Sequence, residues 1–138
     1  MSTVSGPLQQ LLAALQPEWE DRDYIFARVP ADHPIPAEAF ATVRETEGTT
    51  LILDAEIAHR EGLPESTLFR KITLGVDSSL EAVGLTAAVA AALVRIDCPA
   101  NVVAGYGHDH LFVPADRARE ALATLQQLSC TAAEQLKS

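Results

Sequence analysis

The sequence predicts an α+β fold in which short antiparallel strands are covered on one face by helices. Three observations carry that reading. Strand-like and helix-like stretches alternate along the 138 residues. The stretch from Lys71 to Pro114 holds a strand, a long run of small apolar residues and then a hairpin. The chain is 48% hydrophobic, which suffices for a sizeable core and excludes a disordered chain.

The elements follow in order. Leu8, Leu11, Leu12 and Leu15 recur at helical spacing, opened by Gly6-Pro7 and closed by Pro17. Glu18, Glu20, Asp21 and Asp23 surround Trp19 and read as a solvated acidic connection with the indole folded onto the core. Tyr24 to Val29 reads as a strand ended by Pro30, and Pro30 to Pro36 as a proline-rich loop. Pro36 to Glu47 is a helix candidate anchored by Phe40 and Val43 and stopped by Gly48. Thr49 to Leu53 is a second strand. Asp54 then caps a short helix, Ala55 to Arg60, with Gly62 past its end.

Leu68 to Val76 is the third strand, with Ile72, Leu74 and Val76 facing the core. Ser78 to Arg95 reads as the main helix, because Ser78 and Glu81 stand in capping-box spacing before an apolar run. Asn101 to Tyr106 and His110 to Val113 form a hairpin turning at Gly107-His108-Asp109. Pro114 ends it, and Asp116 is placed to cap a last helix whose apolar face is Ala118, Ala121, Leu122, Leu125 and Leu128. From Ser129 the chain is polar and is expected to fray. Strand, helix and strand therefore recur in two halves of a split βαβ type. Residues 1–66 make the first half, 67–130 the second and 131–138 a tail. The second half lacks a last strand of its own. The strand at Tyr24 is the candidate to fill that edge, which interlocks the halves.

Charge narrows the function. The net charge is -9 and the isoelectric point about 4.7, with ten scattered basic residues. That composition argues against nucleic acid and against an anionic membrane, both of which call for clustered Lys and Arg. Cys98 and Cys130 show no metal spacing and read as two reduced thiols. The N-terminal MSTVSGPLQQLL has no basic region or long apolar run, and Val83 to Val94 is too short to span a bilayer. A soluble, cytoplasmic protein is expected.

The stretch VDSSLEAVGLTAAVAAAL, followed by CPANVVAGYGHDHLFVP and an Ala/Leu helix, resembles the ACT domain. It is most similar to small bacterial proteins built of tandem ACT-like halves. Paired ACT halves also occur in aspartate kinases and in cytosolic arginine sensors of animal cells. The resemblance covers Leu68 to Leu128 well, and Leu8 to Leu63 more faintly through TVRETEGTTLIL. It implies a ferredoxin-like βαββαβ fold in each half. It also implies a regulatory module that binds an amino acid, without catalysis and without a cofactor.

Similar ACT domains bind their amino acid near the loop after the first strand, at an interface between two domains. By that resemblance the role falls on Ser79, Leu80, Glu81, Val83 and Gly84. A helix start there offers free amides and a favourable dipole to a carboxylate. The competing reading is that Ser78 and Glu81 only cap the helix. Glu81 is also suited to a ligand ammonium. Gly84, Ala87, Ala88, Ala91 and Ala92 form a smooth face, so Gly84 answers equally to tight packing on a sheet. Asn101, Val102 and Val103 lie on the strand expected to face the loop, with Asp109 at the hairpin. Asn101 serves either a ligand or a local turn after Pro99, and Gly105 marks a bulge or a close approach. His108, Asp109 and His110 raise a metal reading, weighed against a polar turn. A Cys98-His catalytic pair lacks any sign of an activated thiolate. Beside amino-acid binding stands a ligand-free interaction module, in which the smooth helix and open strand edges serve a partner or a homodimer.

Overall fold

The computed structural model describes residues 7–137. Gly6, read above as part of the first helix opening, and the N-terminal residues before it lie outside the described residues, as does Ser138. Six antiparallel strands form one sheet in the order β2-β3-β1-β4-β6-β5. The strands are β1 (Pro17–Val29), β2 (Ala41–Glu45), β3 (Gly48–Asp54), β4 (Phe69–Leu74), β5 (Asn101–Ala104) and β6 (Asp109–Pro114). The helices are α1 (Pro7–Ala13), α2 (Ala55–Arg60), α3 (Leu85–Val94) and α4 (Ala118–Lys137).

The strand order explains the interlocking. A split βαβ unit arranges its four strands spatially as 4-1-3-2. Read from one edge, β1-β4-β6-β5 has that order, with β4 as first strand and β1 as last. Read from the other edge, β4-β1-β3-β2 has it again, with the roles of β1 and β4 exchanged. The two central strands each serve both halves. β1 accomplishes this by length. Its first part pairs with β4, from Pro17 opposite Leu74 to Tyr24 opposite Phe69, and its second part pairs with β3, from Tyr24 opposite Asp54 to Val29 opposite Thr49. A register irregularity between Trp19 and Asp23 falls within the part paired with β4.

The strand therefore begins at Pro17, and the acidic connection expected before Tyr24 is itself strand. Its charges are paired across the ladder: Lys71 Nζ lies 2.8 Å from Glu20, and Arg70 bonds Asp23 at 2.7 Å and Asp21 at 2.9 Å. Trp19 packs against the main core, with the guanidinium of Arg70 5.4 Å from its ring centroid.

The helix expected over Pro36 to Glu47 is not formed. Ala41 to Glu45 is the edge strand β2, and it meets β3 through a turn at Thr46-Glu47, with Glu45 opposite Gly48. Nearly every β2 side chain is exposed. An edge strand with both faces open has no alternating pattern to betray it.

The larger core lies under α1, α3 and α4. Leu12 and Leu15 join Ile72, Leu74 and Val76 of the β4 segment, Leu85, Val89 and Leu93 of α3, Leu111 and Val113 of β6, and Leu125 of α4. A smaller core of Ile25, Val29, Leu51, Leu53 and Ala58 is covered by α2 alone among the helices. The opposite sheet face is not left to solvent. All four phenylalanines gather there with Tyr24, around a fully buried Phe112 whose ring meets Tyr24, Phe26 and Phe40 edge-on at 5.4 to 5.6 Å.

Two features of α4 also depart from the sequence reading. Asp116 does not cap it. A single 3-10 turn, Ala115–Arg117, leads into α4, and Arg117 donates to the carbonyls of Ile96 (2.6 Å) and Asp97 (3.1 Å), satisfying the end of α3. The tail does not fray after Ser129 either. The helix continues to Lys137, held because Ala132 is buried and Ser129 Oγ donates to Ala13 of α1 at 3.1 Å.

Candidate functional site

The loop between β4 and α3 is where structure and sequence reading differ most. The helix starts at Leu85, not Ser78. Gly84 is its N-cap with φ +100°, a conformation that no helix interior accommodates. Residues 78–84 form a separate turn, in which Ser79 Oγ accepts from the Glu81 amide at 3.0 Å and the Ala82 amide donates to the Ser79 carbonyl at 3.0 Å. The capping box expected of Ser78 and Glu81 is thus not formed: Ser79 bonds Glu81 in a local turn, and the Ser78 amide goes to Gly107. Leu8 of α1 lies over Gly84 closely enough that a Cβ there would sit 2.9 Å from its Cδ2.

The helix start is nevertheless not sealed. A narrow cleft of about 100 Å³ opens beside it, lined by Ser79, Leu80, Leu85, Thr86, Gly105 and Asp109 among others. It adjoins a wider cleft of about 480 Å³ that shares Ser78, Ser79 and Leu80 and adds Asp77, Glu81, Tyr106 and Gly107. The loop and the hairpin turn that wall these clefts are tied together. The Ser78 amide donates to the Gly107 carbonyl at 3.1 Å, and His108 Nδ1 donates to the Val76 carbonyl at 3.0 Å.

Ser79, Leu80 and Asp109 therefore share one cleft, with Glu81 in its neighbour. The other candidates stand elsewhere. Val83 points to solvent, 87% exposed. Val102, opposite Leu111, lies on the helix-bearing face, while Val103 packs against the Phe112 cluster on the opposite face. Asn101 Nδ2 reaches the Phe112 carbonyl at 3.5 Å. None of these three strand residues lines either cleft. Gly105 does, and its pattern position next to Asn101 to Ala104 was the available signal. Tyr106 was missed as a site residue. It stands 92% exposed on the rim of the wider cleft, and an aromatic between two glycines was its only mark in the sequence.

The histidines of the hairpin go separate ways. His108 serves the Val76 carbonyl, whereas His110 faces the aromatic side, 2.9 Å from Thr73 Oγ1 and edge-on to Phe40 at 5.1 Å. Burial, then the charge of Lys71, pushes the His110 imidazole below its ordinary value. The Lys71 ammonium sits 4.4 Å from the Phe40 ring centroid and bonds Glu20, whose carboxyl it holds below the usual range. Burial pushes the Cys98 thiol up. Among the described residues, no three His, Cys, Asp or Glu side chains converge in metal-binding geometry, and no helix is long and apolar enough to cross a membrane.

The fold is α+β, with a six-stranded antiparallel sheet, helices and a cleft at the loop after β4. Residues 6–70 match the family model described as "ACT domain". That match falls on the first half, where the sequence resemblance was fainter. A crystal structure of a Vibrio cholerae protein of unknown function, described as a possible transport protein, is 46% identical over 85% of this chain and 92% of that chain, with a TM-score of 0.74. The chain belongs to the same family as that protein. An Agrobacterium tumefaciens protein (17% identity, 82% of this chain and 87% of that one, TM-score 0.65) shares the fold. So does aspartokinase, in a structure of its alpha and beta subunits (11% identity, 83% and 98%, TM-score 0.60). No curated protein matches.

Proposed function

We propose that the protein is a cytoplasmic regulatory module, without catalysis of its own, that binds an amino acid in the cleft beside residues 77–84. The observation that carries this is that one cleft is lined by the first turn of α3, the Ser79 side chain and the Asp109 carboxylate. Helix geometry leaves the first amides of α3 without intrahelical acceptors, which suits a carboxylate. Asp109, with Glu81 and Asp77 in the adjoining cleft, suits an ammonium group. An amino acid carries both charges. The ACT match over residues 6–70 supports the same regulatory role. Division at residues 66 and 67 into tandem ACT-like halves belongs to this proposal, and the binding half is the second.

Thermal denaturation in the presence of each common amino acid is the test. A ligand at a hundred times its dissociation constant adds about 2.7 kcal/mol of stability. Asp109→Asn removes most of that gain while changing the unliganded midpoint little, since Asp109 is only half-buried. If no amino acid moves the midpoint, the proposal fails.

A second reading has its own observation. Leu80, Val83 and Tyr106 are all strongly exposed around the clefts, and β5 ends the sheet with a free edge. A ligand-free interaction module or homodimer would cover them. Light scattering of the wild type and of Val83→Asp decides it: a dimer dispersed by the substitution, with no amino-acid response, replaces the first reading.

A further inference from the structure

The two halves roof their sheet unequally, and a cavity results. The second half is covered by α1, α3 and α4. The first has the six-residue α2 and the loop from Pro30 to Phe40. Its roof is completed by the strap that follows α2. The Gly62 amide donates to the His59 carbonyl at 3.1 Å and the Leu63 amide to the Ala58 carbonyl at 2.9 Å, with Gly62 at φ +73°. This paired bonding ends a helix in a left-handed turn and sends the next residue back over its last turn. The strap from Leu63 to Leu68 thus arches over a space of about 270 Å³.

Ile25 and Ala58, 3% and 2% exposed, lie at the floor of that space, and Leu63 and Leu68 are part of its wall. His59 and Glu65 are among its polar lining residues. No Lys or Arg lines it, and among the described residues Glu65 has no ion-pair partner. A buried apolar floor under a partly exposed rim with a few polar groups suits a small molecule with an apolar body and a polar head. It lies on α2 and the strap, whereas the amino-acid cleft lies on the loop before α3.

We propose that this cavity is a second ligand site that takes a small aliphatic or aromatic amine. The apolar body fills the space over Ile25 and Ala58, and the ammonium meets Glu65. A space of about 270 Å³ has room for a body of that kind. The unpaired carboxylate excludes an anionic head.

Nuclear magnetic resonance titration of the full chain tests it, with phenethylamine as probe and phenethyl alcohol and phenylacetate as controls. Phenethylamine is expected to move the backbone amides of Ala55, Ala58, Leu63, Ser66 and Leu68. Glu65→Gln, a change at an exposed side chain, weakens phenethylamine by about fivefold and leaves phenethyl alcohol unchanged. Ala58→Leu occupies the space and abolishes both; should that variant not fold, the Glu65→Gln comparison still decides. The proposal is overturned if those amides do not move, if phenylacetate binds as well as phenethylamine, or if the shifts fall only on residues 78–86. That last pattern would report the amino-acid cleft and leave the first proposal standing alone.

Discussion

Replacing Gly84 by alanine separates two structures by the sign of its effect. If a helix ran unbroken from Ser78 to Arg95, Gly84 would sit one turn inside it. Alanine there would then stabilise the protein by roughly 0.5 to 1 kcal/mol. In the structure Gly84 has φ +100° and precedes the helix. Placing an L-residue in that region costs about 1 to 3 kcal/mol. The new Cβ would also stand 2.9 Å from Leu8 Cδ2. That atom ends a flexible side chain and can withdraw, so this contact adds less than about 1 kcal/mol. The expected loss is about 2 kcal/mol, or roughly 8 °C in the midpoint for a chain of this size. Urea denaturation with the linear extrapolation measures it. The double variant with Leu8→Ala recovers only the contact share, because backbone strain remains. A neutral or stabilising Gly84→Ala would refute the placement of the helix start at Leu85, and with it the cleft assigned to ligand.

Phe112→Ala should cost about 3 to 5 kcal/mol, since the ring is fully buried among three other aromatics; chemical denaturation reads it, and a loss below about 1 kcal/mol would mean that the outer face is open. The lowered pKa of His110 makes stability depend on pH with a definite sign. The unfolded chain binds more protons than the native one near pH 6, so stability is fully present above about 6.5 and falls as pH drops toward the native value. His110→Gln should flatten the midpoint against pH in that window, and an unchanged slope would contradict the assignment. A fragment of residues 67–138 should fail to fold by circular dichroism, because Leu12, Leu15 and the strand partner of β4 are missing from it.

What the sequence made legible follows from where each signal resides. The β4 segment, α2 with its Asp54 cap, the hairpin of β5 and β6, and the apolar face of α4 were readable because their periods and caps are local. The Asp54 side chain does accept from the Glu56 amide, at 2.7 Å. The first part of β1 was not readable. Its charges look like a linker until Lys71 and Arg70 are placed opposite them, about fifty residues away. The extent of α4 was hidden for the same reason: Ala132 and Ser129 look like tail residues until α1 lies against them. At the site the error was of another kind. The Ser78 and Glu81 spacing points to a capping box, but the turn is bonded through Ser79, and the helix begins only after Gly84. Of the residues named from the sequence, the loop and Asp109 line the clefts, whereas Asn101 to Val103 do not. Which face of β5 looks at the loop depends on register with β6, and a one-residue change reverses it.

The exchange of β1 and β4 between halves bears on the proposed regulation. In two separate domains, a ligand on one half reaches the other only through whatever interface they make. Here β4 is the first strand of the half proposed to bind ligand, and the loop of residues 77–84 follows it. The same strand is the last strand of the other half, paired with β1 from Phe69 to Leu74. The Gly75 and Val76 amides extend that pairing to the Gln16 and Leu15 carbonyls, at 2.9 and 3.2 Å, immediately before the loop begins. A ligand that holds the loop in one arrangement therefore acts on hydrogen bonds that both halves need. Any coupling between two ligands on the halves must be reciprocal, each changing the affinity of the other by the same factor. Ile25 of β1 also floors the cavity under α2, so both proposed sites would rest on the same shared strands.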